Sequence, residues 1–183
     1  MIHYLIISDN NINIKNENFS QIHPNVFGTE FKNYFLNLLS NIKEEYICIV
    51  RDESYFNINI DEAAIVKSFK DDSNMFCFSL YLNKDFNFSK RYNSPTKLVP
   101  LNHDDKTIKW DWHKHYFDFG NPFLLESSVF LKSDFKKLSS KCQFNDIDDL
   151  EADLQKFNTF PKFVMSCFKE NVKKEDIKET YQP

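Results

Sequence analysis

The residues best suited to chemistry are three charged side chains in a row, Arg51-Asp52-Glu53, which follow the apolar run 46–50. Short apolar runs of this kind are typical of interior strands in parallel or mixed sheets. Open α/β sheets bind their ligands at the carboxyl ends of such strands. Carboxylates at this position can bind a divalent cation, which in turn binds phosphates. The run therefore predicts a metal or donor site, and the alternative is a solvated turn with a surface ion pair.

A second candidate is the aromatic and acidic segment 110–120, which contains both tryptophans, Trp110 and Trp112, and also Asp118. Aromatic rings can stack on the apolar faces of sugars, while carboxylates accept hydrogen bonds from sugar hydroxyls. The two tryptophans are two residues apart, so on a strand they share a face. The segment predicts a sugar-binding surface, and the alternative is a strand whose indoles are buried in the core.

Two further acids lie close to apolar positions. Glu126 interrupts the apolar segment 123–131, where a charge needs either a partner or a function. Glu151 follows Leu150 at the edge of the apolar stripe of a predicted helix that begins at Asp146 or Asp148. A carboxylate at that edge can project into a cleft and act as a general base. The alternative for these helical acids is a favourable interaction with the helix dipole.

Predicted strands and helices that alternate along the chain would position these residues. A strand at 3–8, an amphipathic helix after Thr29 as N-cap and the strand at 46–50 predict a parallel unit. Farther along we expect a helix at 61–69 with Asp61 as its cap, a central strand at 75–82, a strand at 108–112, a short helix capped by Ser133 and a final strand at 163–168. The order predicts a single α/β domain over residues 1–183, with a mixed, mostly parallel central sheet flanked by helices. Residues 169–183 are predicted to be a charged C-terminal tail.

Composition argues against several classes of protein. The 183 residues include only two glycines, Gly28 and Gly120, so neither the P-loop nor the dinucleotide-binding fingerprint is present. The net charge of −4 argues against a nucleic-acid partner. The four cysteines lie far apart, which argues against a zinc knuckle. The N-terminus lacks the basic start of a signal peptide, and no apolar run is long enough to cross a bilayer. These features predict a cytoplasmic protein without a transmembrane segment.

Taken in order, these segments resemble glycosyltransferases of the GT-A type over about residues 28–157. The resemblance begins with the helix and strand leading to the acidic run 51–53. It continues with the apolar strand at 75–82, the tryptophan-containing strand at 108–112, an aromatic-Gly-Asn-Pro turn at 119–122 and the embedded acid Glu126. It ends at Asn145-Asp146-Ile147-Asp148-Asp149-Leu150-Glu151.

The resemblance implies transfer of a sugar from a nucleotide-sugar donor to a glycan or another hydroxyl acceptor. Asp52 would coordinate Mn²⁺ or Mg²⁺ with support from Glu53, and Arg51 would be able to meet phosphate directly. Arg51 is a departure from the family pattern, because such enzymes usually have an acid at this position.

On the acceptor side, the resemblance implies contacts from Glu126, Trp110 and Asp118, with Glu151 as the base that takes the acceptor proton. The part of the chain before Tyr46 is shorter than in a full GT-A domain. This departure, together with Arg51, leaves two alternatives open. One is a non-catalytic module that binds a glycan or a nucleotide, and the other is a structural or interaction protein on the same scaffold.

Overall fold

The short apolar runs of the sequence form the inner strands of one large sheet in the computed structural model. The structure describes residues 1–8, 18–22, 29–51 and 60–169, and for Thr29 and Arg51 it describes the backbone alone. The strands are β1 (Ile2–Ile7), β2 (Phe19–Ile22), β3 (Tyr46–Arg51), β4 (Met75–Ser79), β5 (Phe88–Ser89), β6 (Ser94–Pro95), β7 (Asn102–His103), β8 (Thr107–Asp111), β9 (Ser128–Leu131) and β10 (Val164–Phe168). The α-helices are α1 (Thr29–Asn41), α2 (Glu62–Lys70), α3 (Lys132–Ser139) and α4 (Ile147–Leu154). Most of the predicted tail at 169–183 lies outside the described residues.

The sheet is mixed and contains 8 strands in the order β2-β1-β3-β9-β4-β10-β8-β7. Strands β1, β2, β3, β4, β7 and β10 share one direction, which agrees with the predicted predominance of parallel strands. The prediction is wrong in the pairing, however, because β9 lies antiparallel between β3 and β4, and β8 lies antiparallel between β10 and β7. A separate small hairpin joins β5 to β6. Helices flank the sheet, so the chain is a single α/β domain.

Each face of the sheet has its own apolar core. On one face α1, α3 and α4 pack against the sheet with side chains such as Phe35, Phe135 and Leu150. On the other face α2 packs Ile65 and Phe69 against β3 and β4. Strand β4 is buried along its whole length, which confirms the prediction of a central strand. None of the helices in the described ranges has the length and apolar character needed to cross a membrane.

Hydrogen bonds from backbone N–H groups to short polar side chains define where several helices and strands begin or end. The side chain of Asp61 accepts from the backbone N–H of Ala64 at the start of α2, and Asp146 accepts from Asp149 at the start of α4, as predicted. The predicted cap at Ser133 is wrong, because α3 begins at Lys132 without a side-chain cap. The predicted strand at 75–82 ends early because Ser79 Oγ accepts from the N–H groups of the turn after it.

Five strands were not predicted: the two-residue strands β5, β6 and β7 within the polar segment 83–106, and the longer strands β2 and β9. β2 lies in a polar connection and carries no apolar run, but it pairs in parallel with β1 and its Phe19 ring stacks on Tyr4 at 5.0 Å. β9 lies in the apolar segment that follows Glu126, and its pairing partners are distant in sequence. Both strands are stabilised by long-range pairing, which leaves no periodic signal in the local sequence.

A buried histidine connects three neighbouring elements at the amino end of β1. The ring Nδ1 of His3 lies 3.0 Å from Glu44 Oε2 and its Nε2 lies 2.9 Å from Ser20 Oγ. Burial lowers the pKa of His3 below its ordinary value of 6.5, and the charge of Lys132 acts in the same direction, whereas Glu44 raises the pKa. The hydrogen bond from its own backbone N–H, together with His3, lowers the pKa of Glu44.

We expect the free energy of unfolding to fall as the pH falls below about 6.5, because the unfolded chain then protonates His3 before the folded chain does. Urea unfolding at pH 7.5, 6.5 and 5.5 measures this dependence. The His3→Gln variant removes the titrating group, and its stability should depend less on pH over the same range. Equal pH slopes for the two proteins would show that His3 is not responsible.

Candidate functional site

The strand order reverses at β1 and β3. Strand β1 pairs in parallel with β2 on one side and with β3 on the other. After β1 the chain forms β2 on one side of it and then crosses to form β3 on its other side. In open α/β sheets, ligands bind in the crevice that such a reversal opens at the carboxyl ends of the strands. Arg51 ends β3 at this crevice, whereas Asp52 and Glu53 lie outside the described residues. The donor and metal site therefore stays a prediction.

A cleft of about 80 Å³ lies at this end of the sheet. Its apolar lining comes from Ile7 at the end of β1, from Leu125 and from Ile147. Its charged lining consists of three carboxylates and one guanidinium, from Glu126, Asp148, Glu151 and Arg91. The cleft thus brings together two of the predicted site residues, Glu126 and Glu151, at the position that the strand order indicates.

Glu151 is held at both oxygens. Its Oε1 accepts a hydrogen bond of 2.7 Å from Arg91 Nη2, and its Oε2 accepts one of 3.1 Å from the backbone N–H of Leu125. Its position on α4, next to the buried Leu150, directs it toward the sheet rather than into solvent. The carboxylate raises the pKa of the Arg91 guanidinium through the hydrogen bond and its charge. A carboxylate has about four lone-pair sites, so Glu151 retains the capacity to accept a further hydrogen bond.

Arg91 was not among the predicted site residues. It lies at the tip of the β5–β6 hairpin, where the N–H of Asn93 bonds to Lys90 O and the N–H of Tyr92 bonds to the buried Ser89 Oγ. This hairpin lies within residues 83–106, a long polar segment that separates the predicted strands at 75–82 and 108–112. Connections of that length are usually functional or mobile, and this was the one local signal that the sequence offered. Asp148 was likewise missed as a residue of the cleft, because its place at a helix N-terminus explained its charge.

Glu126 is exposed at the carboxyl ends of β3 and β4. It forms an isolated parallel bridge with Ile49 of β3. The next residue, Ser127, has a φ of 62°, and its backbone joins the two strands: its N–H donates to Ile49 O and its C=O accepts from the N–H of Leu80, both at 2.8 Å. The strained residue thus places Glu126 at the edge of the cleft.

Asp118 is buried, and its Oδ2 has no hydrogen-bond partner among the described residues. It lies in a 3₁₀ turn that ends at Gly120, where a side chain would overlap the carbonyl oxygen of His115. Burial raises the pKa of Tyr81, and the charges of Asp118 and Glu126 raise it further. Asp118 also contributes to the raised pKa of Arg91, after the larger effect of Glu151. Asp118 therefore belongs to the same charged neighbourhood as the cleft.

Trp110 does not lie on the cleft surface. Its side chain is 0% exposed, its Nε1 donates to the carbonyl of Phe119 at 2.8 Å, and the two rings pack edge to face. Trp112 is also buried, and its Nε1 donates to Lys162 O. Neither indole offers a face to a ligand in this structure. The expected sugar contact of Trp110 is therefore replaced by the alternative of a buried indole.

Residues with a strained backbone adjoin several candidate site residues in the sequence. In the described part of the chain, three residues other than glycine have a positive φ: Asn93, Phe117 and Ser127. Asn93 follows the Arg91-Tyr92 tip of the hairpin, Phe117 precedes Asp118, and Ser127 follows Glu126. Such conformations cost free energy and are found at functional sites more often than elsewhere. Their position supports the assignment of this end of the sheet as the functional one.

The donor atoms of the cleft are carboxylate oxygens, which suit Mg²⁺ or Mn²⁺ better than softer metals. Within the described ranges, however, no three acidic, histidine or cysteine side chains are arranged so that they could hold a metal ion. The residues of the cleft alone are therefore not a complete ligand set for the predicted cation.

Comparison with known proteins provides no further assignment: no family model matches the chain, and no curated protein matches it in sequence.

Proposed function

We propose that this protein transfers a sugar from a nucleotide-sugar donor to a hydroxyl group of a glycan or another acceptor. The observation that carries the proposal is the position of the cleft. Glu126 and Glu151 line it at the carboxyl ends of β1 and β3, where the strand order reverses and where Asp52 and Glu53 follow in the sequence. The resemblance of the ordered segments to GT-A enzymes supports the same function.

In the proposed reaction, the acceptor hydroxyl gives its proton to a carboxylate oxygen of Glu151 as its own oxygen bonds to the anomeric carbon. The bond from that carbon to the diphosphate breaks, and the nucleotide leaves with the electron pair. The half-exposed Arg91, beside Glu151, is the cation that would meet the phosphates. A divalent cation bound by Asp52 and Glu53 would add charge stabilisation of the diphosphate.

Calorimetric titration with uridine, guanosine and cytidine nucleotide-sugars, with and without Mn²⁺, tests the proposal. We expect at least one donor to bind only with the metal, and the double variant Asp52→Asn, Glu53→Gln to bind it at least about tenfold more weakly. The control is Asp71→Asn, which removes an exposed acid whose partner is Lys67 on α2. Absence of metal-dependent nucleotide binding in the wild-type protein would overturn the proposal.

A second candidate function is a module that binds a glycan without transferring sugar. The observation that favours it is the size of the cleft, whose 80 Å³ is smaller than the ~300–1,000 Å³ of ordinary small-molecule sites. Such a module would bind oligosaccharide but release no nucleotide from any donor. Measuring nucleotide release in the presence of an acceptor that binds separates the two functions.

A further inference from the structure

Two exposed aromatic side chains lie together, and one of them directly follows Arg91 of the cleft. Tyr92 is 42% exposed and Phe117 is 37% exposed, and their ring centroids are 5.4 Å apart with a 39° tilt between the rings. We call this pair the aromatic shelf. Contiguous exposed aromatic rings are a candidate binding surface when groups suited to a ligand adjoin them.

The fold holds the shelf in place from two sides. Tyr92 lies at the tip of the β5–β6 hairpin, and its hydroxyl is 3.5 Å from Asn121 Nδ2 in the turn that follows the 3₁₀ segment of Phe117. Asn93 and Phe117 both have a positive φ, of 48° and 56°. The rings are therefore positioned by backbone conformations that the surrounding structure has to maintain.

The shelf is continuous with polar groups that suit sugar hydroxyls. Tyr92 directly follows Arg91, which pairs with Glu151 in the cleft, and Phe117 directly precedes Asp118. The half-exposed Arg91 is a hydrogen-bond donor and Glu151 is an acceptor, whereas Asp118 is buried beneath the surface. Flat apolar rings next to charged donors and acceptors complement a pyranose ring, which has an apolar face and a rim of hydroxyls.

We propose that the aromatic shelf of Tyr92 and Phe117 is a binding subsite for a pyranose unit of an oligosaccharide. The inference rests on the proposed function only for the role of that oligosaccharide as acceptor. Binding to the shelf itself requires neither donor nor metal. The sugar would stack on the two rings while its hydroxyls reach the Arg91–Glu151 pair.

The test is calorimetric titration with cellotetraose, chitotetraose, maltotetraose and mannotetraose, without metal or nucleotide. We expect at least one of them to bind, and Tyr92→Ala and Phe117→Ala each to weaken that binding at least about tenfold. Tyr92→Phe and Phe117→Tyr keep the rings and should retain the binding. The matched control is Tyr116→Ala, which removes an 81% exposed tyrosine adjacent in sequence to the shelf.

The outcomes separate this proposal from the proposed function. Oligosaccharide binding that depends on the shelf, without metal-dependent nucleotide binding, would retain the subsite and overturn the transfer reaction. Binding of none of the four with a dissociation constant below about 1 mM would overturn the subsite, as would binding that Tyr92→Ala and Phe117→Ala leave unchanged. A weakening by Tyr116→Ala equal to that of the shelf variants would also overturn it. The circular dichroism spectrum of each variant shows whether it folds.

Discussion

Replacing Trp110 by alanine is expected to lower the free energy of unfolding by about 3–5 kcal/mol. The indole is fully buried in the core on the face of the sheet that packs against α1, α3 and α4. Its removal leaves a cavity beside Phe119 and leaves the carbonyl of Phe119 without its donor. Urea unfolding followed by circular dichroism measures the loss, because that signal does not depend on the tryptophans.

Two control variants separate the contributions to this loss. Trp110→Phe keeps an aromatic ring in the core but removes the indole N–H, so its cost should be smaller, about 1–3 kcal/mol. Tyr116→Ala removes an exposed aromatic side chain and should change stability by less than about 0.5 kcal/mol. A Trp110→Ala protein as stable as the wild type, but impaired in oligosaccharide binding, would contradict the burial of the indole and support its sugar-binding role.

If the protein catalyses the proposed sugar transfer with Glu151 as base, Glu151→Gln is expected to lower kcat by about 10²–10⁴-fold, because an amide cannot take the proton of the acceptor hydroxyl. The Gln carbonyl can still accept from the backbone N–H of Leu125, so the segment around Glu126 should keep its position. Release of nucleotide from the donor, measured with and without acceptor, gives kcat. Donor binding measured by calorimetry should change little.

Arg91→Met is the matched variant for Glu151→Gln, since it removes the other half of the ion pair and leaves the carboxylate in place. If Glu151 is the base, Arg91→Met should raise KM for the donor and lower kcat far less than Glu151→Gln does. Equal losses of kcat in the two variants, with equal losses of stability, would show that Glu151 only holds the β5–β6 hairpin against the cleft.

Much of the fold was predictable because its signals are local. The spacing of apolar residues identified α1, the run 46–50 identified most of β3, and Asp61 and Asp146 marked the starts of two helices. The largely apolar faces of 75–82 predicted a central strand, and β4 is buried along its length, although it ends at Ser79. Periodicity and capping depend on neighbours within a few residues, so a single sequence contains them.

The insertion of β9 between β3 and β4 was not predictable in the same way. Its residues are paired with strands at positions 46–48 and 77–79, far away along the chain. A short apolar run does not specify its partner or its direction, because partner choice depends on which faces the whole domain buries. The same reasoning explains why β2 was assigned to a connection. It also explains why the prediction of a mostly parallel sheet did not include the antiparallel pairs formed by β8 and β9.

By itself, the sequence determined which kinds of side chain and motif the candidate site can use. These are an acidic run after a strand and two acids at apolar positions, without a glycine-rich phosphate loop. The tertiary structure alone decided which of these residues meet. It places Glu126 and Glu151 on one cleft, buries Trp110 in the core, and adds Arg91 from a hairpin within the long polar connection. Arg91 and Glu151 are 60 residues apart. Contacts of this range depend on the packing of the whole sheet rather than on local spacing, so only the folded domain defines the site.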